Sequence, residues 1–372
     1  MESSDDEKIS TELHRLTRDA IVRSLATRRP LLHHLNADTT WLLQIPRPAS
    51  AVKHSKRIYY NILIDPWLTG GQSDVASWFS QQWHATPSAV STIDGANQLA
   101  REIEHLAGAS FLYRRTYKPP RPEDEEQEEE DAARHRFIDA IAISHEFTDH
   151  CHPSTLKTVH RDVPVFCTDK AALVVNAMRH FRAVHVVPTF TSEACDWRAN
   201  SLPPLPEWLS ISRIVAARDF KYYHSALMIA FNAAPSAASF SSSSSGVDAA
   251  EVVIYTPHGI PASALAPVAN ADPPLSTLAF LHGLHSISIG SAQQLNLGGH
   301  NGLQAQRVLN AKYWVGTHDE VKAGLGIVSW FLRRKVVSVE EASSTDTNSS
   351  FGDEWDDVKF EEIPNGESRV LE

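Results

Sequence analysis

The sequence predicts a layered protein of helices and sheets, and three observations predict it. Short apolar runs alternate with helical stretches over residues 138–187, strands follow one another directly from residue 209, and helix and strand alternate again over 263–316. At 372 residues the chain is long enough for two ordinary domains or one large layered one. Hydrophobic residues make up 42% and charged residues 21%, which supports a sizeable core and excludes a wholly disordered or fibrous chain.

Taken in order, Ile9, Leu13, Leu16, Ala20, Ile21 and Leu25 recur at helical spacing before Pro30, so residues 8–27 are expected to form an amphipathic helix. Strands are expected at 40–45 (TWLLQI) and 59–64 (YYNILI), the second running into Asp65-Pro66 and a Gly70-Gly71 turn. A Trp- and Gln-containing helical region near 74–110 precedes an acidic run, PEDEEQEEED, that has no apolar face and reads as a solvated insertion. Then come a strand at 138–144, a helix from Pro153, a strand at 163–167, a helix at 169–180 and a strand at 184–187. Strands at 211–216, 226–231 and 252–255 follow, the last two separated by a Ser-rich loop at 233–250 whose composition cannot build a core. A helix at 263–269, a strand at 277–280, a helix at 303–309 and a strand at 313–316 complete the series. The predicted organisation is an N-terminal helical extension at 1–37, a domain at 38–337 carrying an acidic insertion at 118–135, and an acidic, mostly disordered tail at 338–372 in which Phe351, Trp355 and Phe360 could dock.

Net charge is −11, but residues 122–131 carry −8 and residues 338–372 carry −9, so the remaining body is basic by six. The acidity belongs to appendages, and no basic tract with interleaved aromatics appears, so nucleic acid is not an expected partner. Three cysteines without a CxxC pair are neither a disulfide framework nor a thiolate metal site. An acidic MESSDDEK start and the lack of an apolar run of membrane-spanning length give the expectation of an intracellular, cytoplasmic protein without a membrane partner.

The chemistry concentrates in ISHEFTDHCHPSTL, residues 143–156, which places His145, Glu146, Asp149, His150, Cys151 and His152 directly after a buried strand. Side chains at that edge point into a shared crevice. Imidazoles with a carboxylate are the donor set of a borderline divalent metal such as zinc.

Here the sequence resembles the metallo-β-lactamase superfamily, whose H-x-H-x-D-H motif stands as His145-Glu146-Phe147-Thr148-Asp149-His150. The wording is most similar to a fungal and plant group with a D-H-C-H segment and a tyrosine followed shortly by P-H-G. The resemblance spans roughly residues 38–335 and implies an α+β fold, a four-layer αββα sandwich with two facing sheets and helices outside. It carries over Asp65 at the end of an early strand, His258 in Thr256-Pro257-His258-Gly259 where many members place a bridging aspartate, and His318 after the closing strand. His224 in KYYHSAL stands for the remaining first-site histidine.

Phe147 occupies a ligand position and cannot bind a metal, so the resemblance implies a degenerate motif and one metal rather than two. Asp149, His150, His258 and His318 would hold it, zinc first, with iron or manganese also chemically acceptable. His145 and His224 would be partial first-site ligands or hydrogen-bonding groups, and Asp65 would orient a histidine from behind. Asp149 and His150 are the residues expected to carry the chemistry, hydrolysis of a small substrate by a metal-activated water. The competing expectation is a catalytically silent member of the fold kept for binding or interaction. Cys151 reads as a small buried thiol, His33, His34, His282 and His285 as structural, His152 and His300 as crevice-lining or ordinary loop histidines, and the Gly298–Gly302 run as the turn that starts a helix.

Overall fold

The computed structural model describes residues 20–55, 57–74, 76, 78–112, 136–216, 223–232, 250–290, 293–345 and 358–372. The expected helix at 8–27 is seen only at 20–25, and the acidic insertion, nearly all of the Ser-rich loop, Phe351 and Trp355 lie outside the described residues.

Two large sheets form the centre. The first has seven strands in the order Ser368–Val370, Leu31–His34, Trp41–Pro46, Tyr59–Ile64, Ala140–Ile143, Val165–Cys167, Val184–Val186. It is antiparallel up to Tyr59–Ile64 and parallel beyond. The second has six strands, Phe360–Glu361, Tyr313–Val315, Leu275–His282, Ala250–Thr256, Ser225–Phe231 and Leu209–Val215.

Strand alternation builds four layers from this pair. In Ser225–Phe231 the side chains of Leu227, Ile229 and Phe231 join the core between the sheets, while Met228 and Ala230 face outward. The inter-sheet core adds Trp41, Ile62, Ile64 and Phe166 from the first sheet and Tyr255, Leu281 and Val315 from the second. Outside the second sheet, Ile254, Phe280 and Trp314 pack on Leu303, Ala305 and Leu309 of the helix Gly298–Leu309. Outside the first, Leu63, Ile141 and Val165 pack on Ile93, Ala96 and Ala100 of the helix Ile93–Leu112 and Ala171 and Val175 of the helix Asp169–Ala177. Central strands covered on both faces are apolar nearly throughout, which is why AIAI and ALMIAF read as unbroken runs and YYNILI is interrupted only by Asn61, whose amide bonds Gln44 and the Phe137 carbonyl. The fold is therefore a four-layer αββα sandwich, the architecture that the sequence resemblance implied.

The structure departs from the sequence reading at both ends of the chain. Leu31–His34 is a strand inside the first sheet, so the domain begins before residue 38. Residues 358–372 are not a loose tail: Phe360–Glu361 and Ser368–Val370 form an outer strand of each sheet, and the Phe360 ring meets Trp314 edge-on at 5.1 Å. Strands of two to four residues with charged neighbours give no periodic signal. The region near 74–110 is likewise split into a strand, Gln81–Trp83, and the helix Ile93–Leu112. No helix among the described residues is long and apolar enough to cross a membrane.

The buried histidines of this framework are neutral, with a consequence for acid stability. His33 hydrogen-bonds Gln44 Oε1 at 2.7 Å and Ser368 Oγ at 2.6 Å, and burial lowers its pKa to about 4. Burial lowers His282 to about 4 as well, its Nδ1 donating to the Gly283 carbonyl at 2.6 Å. In the unfolded chain both would titrate near 6.5, so below that pH the unfolded state binds protons that the folded state refuses. The contribution of these two should be flat above pH 6.5 and fall as pH drops toward 4, by roughly 3 kcal/mol for each, offset in part by Asp319, whose carboxyl pKa is raised by burial to about 6. Urea midpoints at pH 7 and 4.5 check this, and equal midpoints would refute it.

Candidate metal centre

Four chain segments leave the sheets at one edge and converge. Asp65 follows the strand Tyr59–Ile64, the 144–150 segment follows Ala140–Ile143, His258 follows Ala250–Thr256, and His318 lies just past Tyr313–Val315. Asp65 and His318 adopt positive φ, +42° and +59°. Such backbone is disfavoured for residues with a side chain and persists only where neighbours over-determine it. For His318 they do, because its backbone N–H donates to the Asp38 carbonyl at 3.0 Å and its Nδ1–H to Asp38 Oδ1 at 3.0 Å. Gly259, at φ +80°, lets the 256–259 turn close, since a Cβ there would meet the His282 ring and Leu297 below 3.0 Å.

The imidazoles are oriented from behind. Asp65 accepts the Ser144 backbone N–H at 2.7 Å, the Ser144 hydroxyl, and the His150 Nδ1–H at 2.8 Å. With Nδ1 protonated, His150 turns its Nε2 lone pair into the crevice, where His258 Nε2 lies 3.2 Å away. Asp38 fixes His318 in the same way, leaving His318 Nε2 4.0 Å from Asp149 Oδ2. Asp149 Oδ1 is 3.6 Å from His150 Nε2. The donor atoms of Asp149, His150 and His318 lie within 4.8 Å of one another, as do those of His145, His150 and His258.

Burial opposes charging throughout this cluster, and the carboxylates decide which groups resist it. Burial lowers His258 well below the usual imidazole range, with His145, His150 and His318 adding to the effect. It lowers His145 and His318 too, the latter despite Asp38. For His150, Asp149 and Asp65 outweigh burial and raise the pKa. Asp149 is held well below the carboxylate range against its burial by Lys322, His150 and His318. Three buried imidazoles around one carboxylate, two of them backed by further carboxylates, form a donor set suited to a divalent cation. The His258 Nδ1 atom is buried and has no hydrogen-bond partner among the described residues, so no carboxylate fixes this ring's tautomer as Asp65 and Asp38 fix those of His150 and His318.

The structure thus brings together five of the six expected ligands and sets one of the five, His145, apart by role. His145 Nε2 lies 2.9 Å from the Tyr223 carbonyl, which can only accept, so that nitrogen carries its hydrogen and is spent. Phe147 fills the place beside it, stacked on Tyr223 at 5.4 Å and edge-on to His258 at 5.8 Å. His224 belongs to neither donor group, and the Tyr223 carbonyl next to it is what reaches the crevice. His152 is the N-cap of the short helix Pro153–Leu156, its Nδ1 accepting from Thr155. Cys151 is fully buried with its thiol pKa pushed up by burial, as expected of an inert core thiol.

Sequence reasoning missed Asp38 and Lys322. Asp38 lies in a polar loop, NADTT, that reads as a turn, and Lys322 follows the last strand among residues that read as surface. The available signal was the spacing His318-x-x-x-Lys322, too common to single out.

Above the donors opens a cavity of about 550 Å³ with Asp149, His258, His318 and Lys322 at its floor. Its walls include Phe79, Phe147, Ile287, Ile289, Leu295 and Leu332, with Arg334 as a further cation. Several of these come from a small sheet of Gln293–Leu297, His285–Ile289 and Leu332–Val336 laid over the crevice.

No family model matches the sequence, and no curated protein matches it. Among solved structures the chain is similar to a possible metal-dependent hydrolase from Veillonella parvula, with a TM-score of 0.51 and 10% identity over 92% of this chain and 100% of that one. It also aligns with an isothiocyanate hydrolase from Delia radicum gut bacteria, at a TM-score of 0.42 and 12% identity over 92% of this chain and 99% of that one. A metallo hydrolase from Ignicoccus hospitalis aligns at 0.43 and 11% identity over 92% and 98%. The first likeness establishes the fold; the other two are weaker. The described residues contain two His/Asp or His groups able to hold a metal.

Proposed function

We propose that the chain is a hydrolase using one divalent metal, zinc in the first instance, held by Asp149, His150, His258 and His318. The observation that supports it best is the pair of buried carboxylates, Asp65 and Asp38, each taking the Nδ1–H of a histidine whose Nε2 faces the common point. A purely structural histidine has no need of a second imidazole nitrogen 3.2 Å from its lone pair. A divalent cation bound there would bring the pKa of a bound water to about 7 and polarise a scissile carbonyl or phosphoryl group.

The protein's own contributions are orientation and exclusion of water. Asp65 and Asp38 hold two rings in one tautomer, Asp149 stays ionised, and the apolar walls take up the non-reacting part of a small substrate. His258 is the ligand able to yield space to substrate, because no described residue bonds its Nδ1. Replacing it by alanine should weaken metal binding about tenfold, less than the same change at His318. Competition with a chromophoric chelator measures both, and equal losses would contradict the ranking.

Metal analysis of the purified chain after exposure to zinc, iron and manganese, paired with ester, thioester and phosphodiester substrates before and after chelation, tests the reading. One bound equivalent and hydrolysis abolished by chelation are expected. A chain that takes up none of the three metals would instead be the catalytically silent form of the fold, for which Phe147 and the committed His145 are the supporting features.

A further inference from the structure

One charged group in the crevice is used by none of this chemistry. Lys322 has a side chain only 7% exposed, and its ammonium lies 2.7 Å from Asp149 Oδ2 and 2.7 Å from Asp38 Oδ2. The indole of Trp67 faces it at 5.2 Å. Taking an ammonium and two carboxylates out of water costs several kcal/mol per ion, and this arrangement persists only because each charge compensates another. The same two carboxylates also serve the histidines: Asp38 holds His318, and Asp149 is a donor in its own right. Lys322 therefore pairs both with a carboxylate among the donors and with one that holds a donor histidine from behind.

Charge balance points to what it does. The carboxylates bonded to the donor histidines or to Lys322, namely Asp38, Asp65 and Asp149, place three negative charges around the donor atoms. One divalent cation together with one ammonium neutralises them, whereas two divalent cations beside the same ammonium would leave an excess of positive charge in a low-dielectric site. We infer that Lys322 is a built-in cation, its ammonium filling a second cation position between Asp38 and Asp149, so that the centre accepts one divalent metal and not two. This rests on the metal reading above. Lys322 also acts as a positioning residue, since it ties down Oδ2 of Asp149 while Oδ1 remains nearer His150.

The test is metal stoichiometry, by calorimetric titration and elemental analysis of the full chain with zinc and with manganese. The wild type is expected to bind one equivalent. Lys322→Met keeps the length of the side chain and removes the charge, stranding two buried carboxylates, so it is expected to bind a second equivalent of manganese, a cation suited to oxygen donors. Combining Lys322→Met with Asp38→Asn removes one of those carboxylates and should return the count to one. If Lys322→Met fails to fold alone, refolding with and without manganese reads the same property: recovery with two equivalents supports the inference, and failure to recover overturns it. Two equivalents in the wild type, or one in both wild type and Lys322→Met, also overturn it. No metal in the wild type would mark instead the failure of the metal reading itself.

Discussion

Replacing His150 by asparagine should lower affinity for a divalent cation by about 100-fold or more. Asparagine is the informative substitution because its side-chain amide can still donate to Asp65 in place of the His150 Nδ1–H, a bond of 2.8 Å in the native chain. The buried carboxylate then keeps a partner, and only the inward nitrogen is lost. That nitrogen is the central one, 3.2 Å from His258 Nε2, 3.6 Å from Asp149 Oδ1, and shared by both donor groups. Four ligands dividing roughly 10–16 kcal/mol of binding average about 3 kcal/mol, two orders of magnitude, with the carboxylate-backed His150 above the looser His258. Chelator competition at constant pH reads the loss, with a far-ultraviolet spectrum confirming the fold. A change of less than about threefold would mean that His150 is not a ligand.

The second large effect belongs to the framework. Trp314→Ala should cost about 3–5 kcal/mol of stability, the range for removing a fully buried tryptophan. Trp314 has no exposed surface and its Nε1–H donates to the His282 carbonyl at 2.9 Å. Its ring is packed against Gly302, where even a Cβ would collide with the indole, and against Phe360 of the C-terminal strand. The substitution would open a cavity between the second sheet, the helix Gly298–Leu309 and the chain terminus at once. Urea unfolding measures the loss; a cost under 1 kcal/mol would mean that the C-terminal strand and helix pack independently of this ring.

Much of this architecture was legible because burial on both faces leaves an unmistakable trace. Residues 59–64 and 226–231 are apolar at almost every position, and each became a central strand within a residue of its expected bounds. What stayed hidden was either too short or too polar to carry a period. Leu31–His34 contains two histidines that are buried only because Gln44, Ser368 and the Ile363 carbonyl satisfy them. The strands Phe360–Glu361 and Ser368–Val370 sit among acids and gain their place from sheet edges supplied by distant segments.

The donor side chains behaved similarly. Asp149 and His150 stood out as a local cluster, and His258 and His318 as residues following strands. Asp38 and Lys322, by contrast, acquire their roles only from the 280-odd residues of chain that bring the first sheet's opening loop beside the segment following the strand Tyr313–Val315. His224 failed for a related reason: a register position beside a strand does not say which way the ring turns, and here the neighbouring carbonyl faces His145.

The most direct measurement is a crystal of the zinc-treated protein examined by anomalous scattering at the zinc edge. The account predicts a single peak about 2.0–2.2 Å from Nε2 of His150 and His318 and from an Asp149 carboxylate oxygen, with His258 completing the set and the Lys322 ammonium still between Asp38 and Asp149. A peak bound to His145 and His224, or histidines in place with no anomalous density between them, would contradict it.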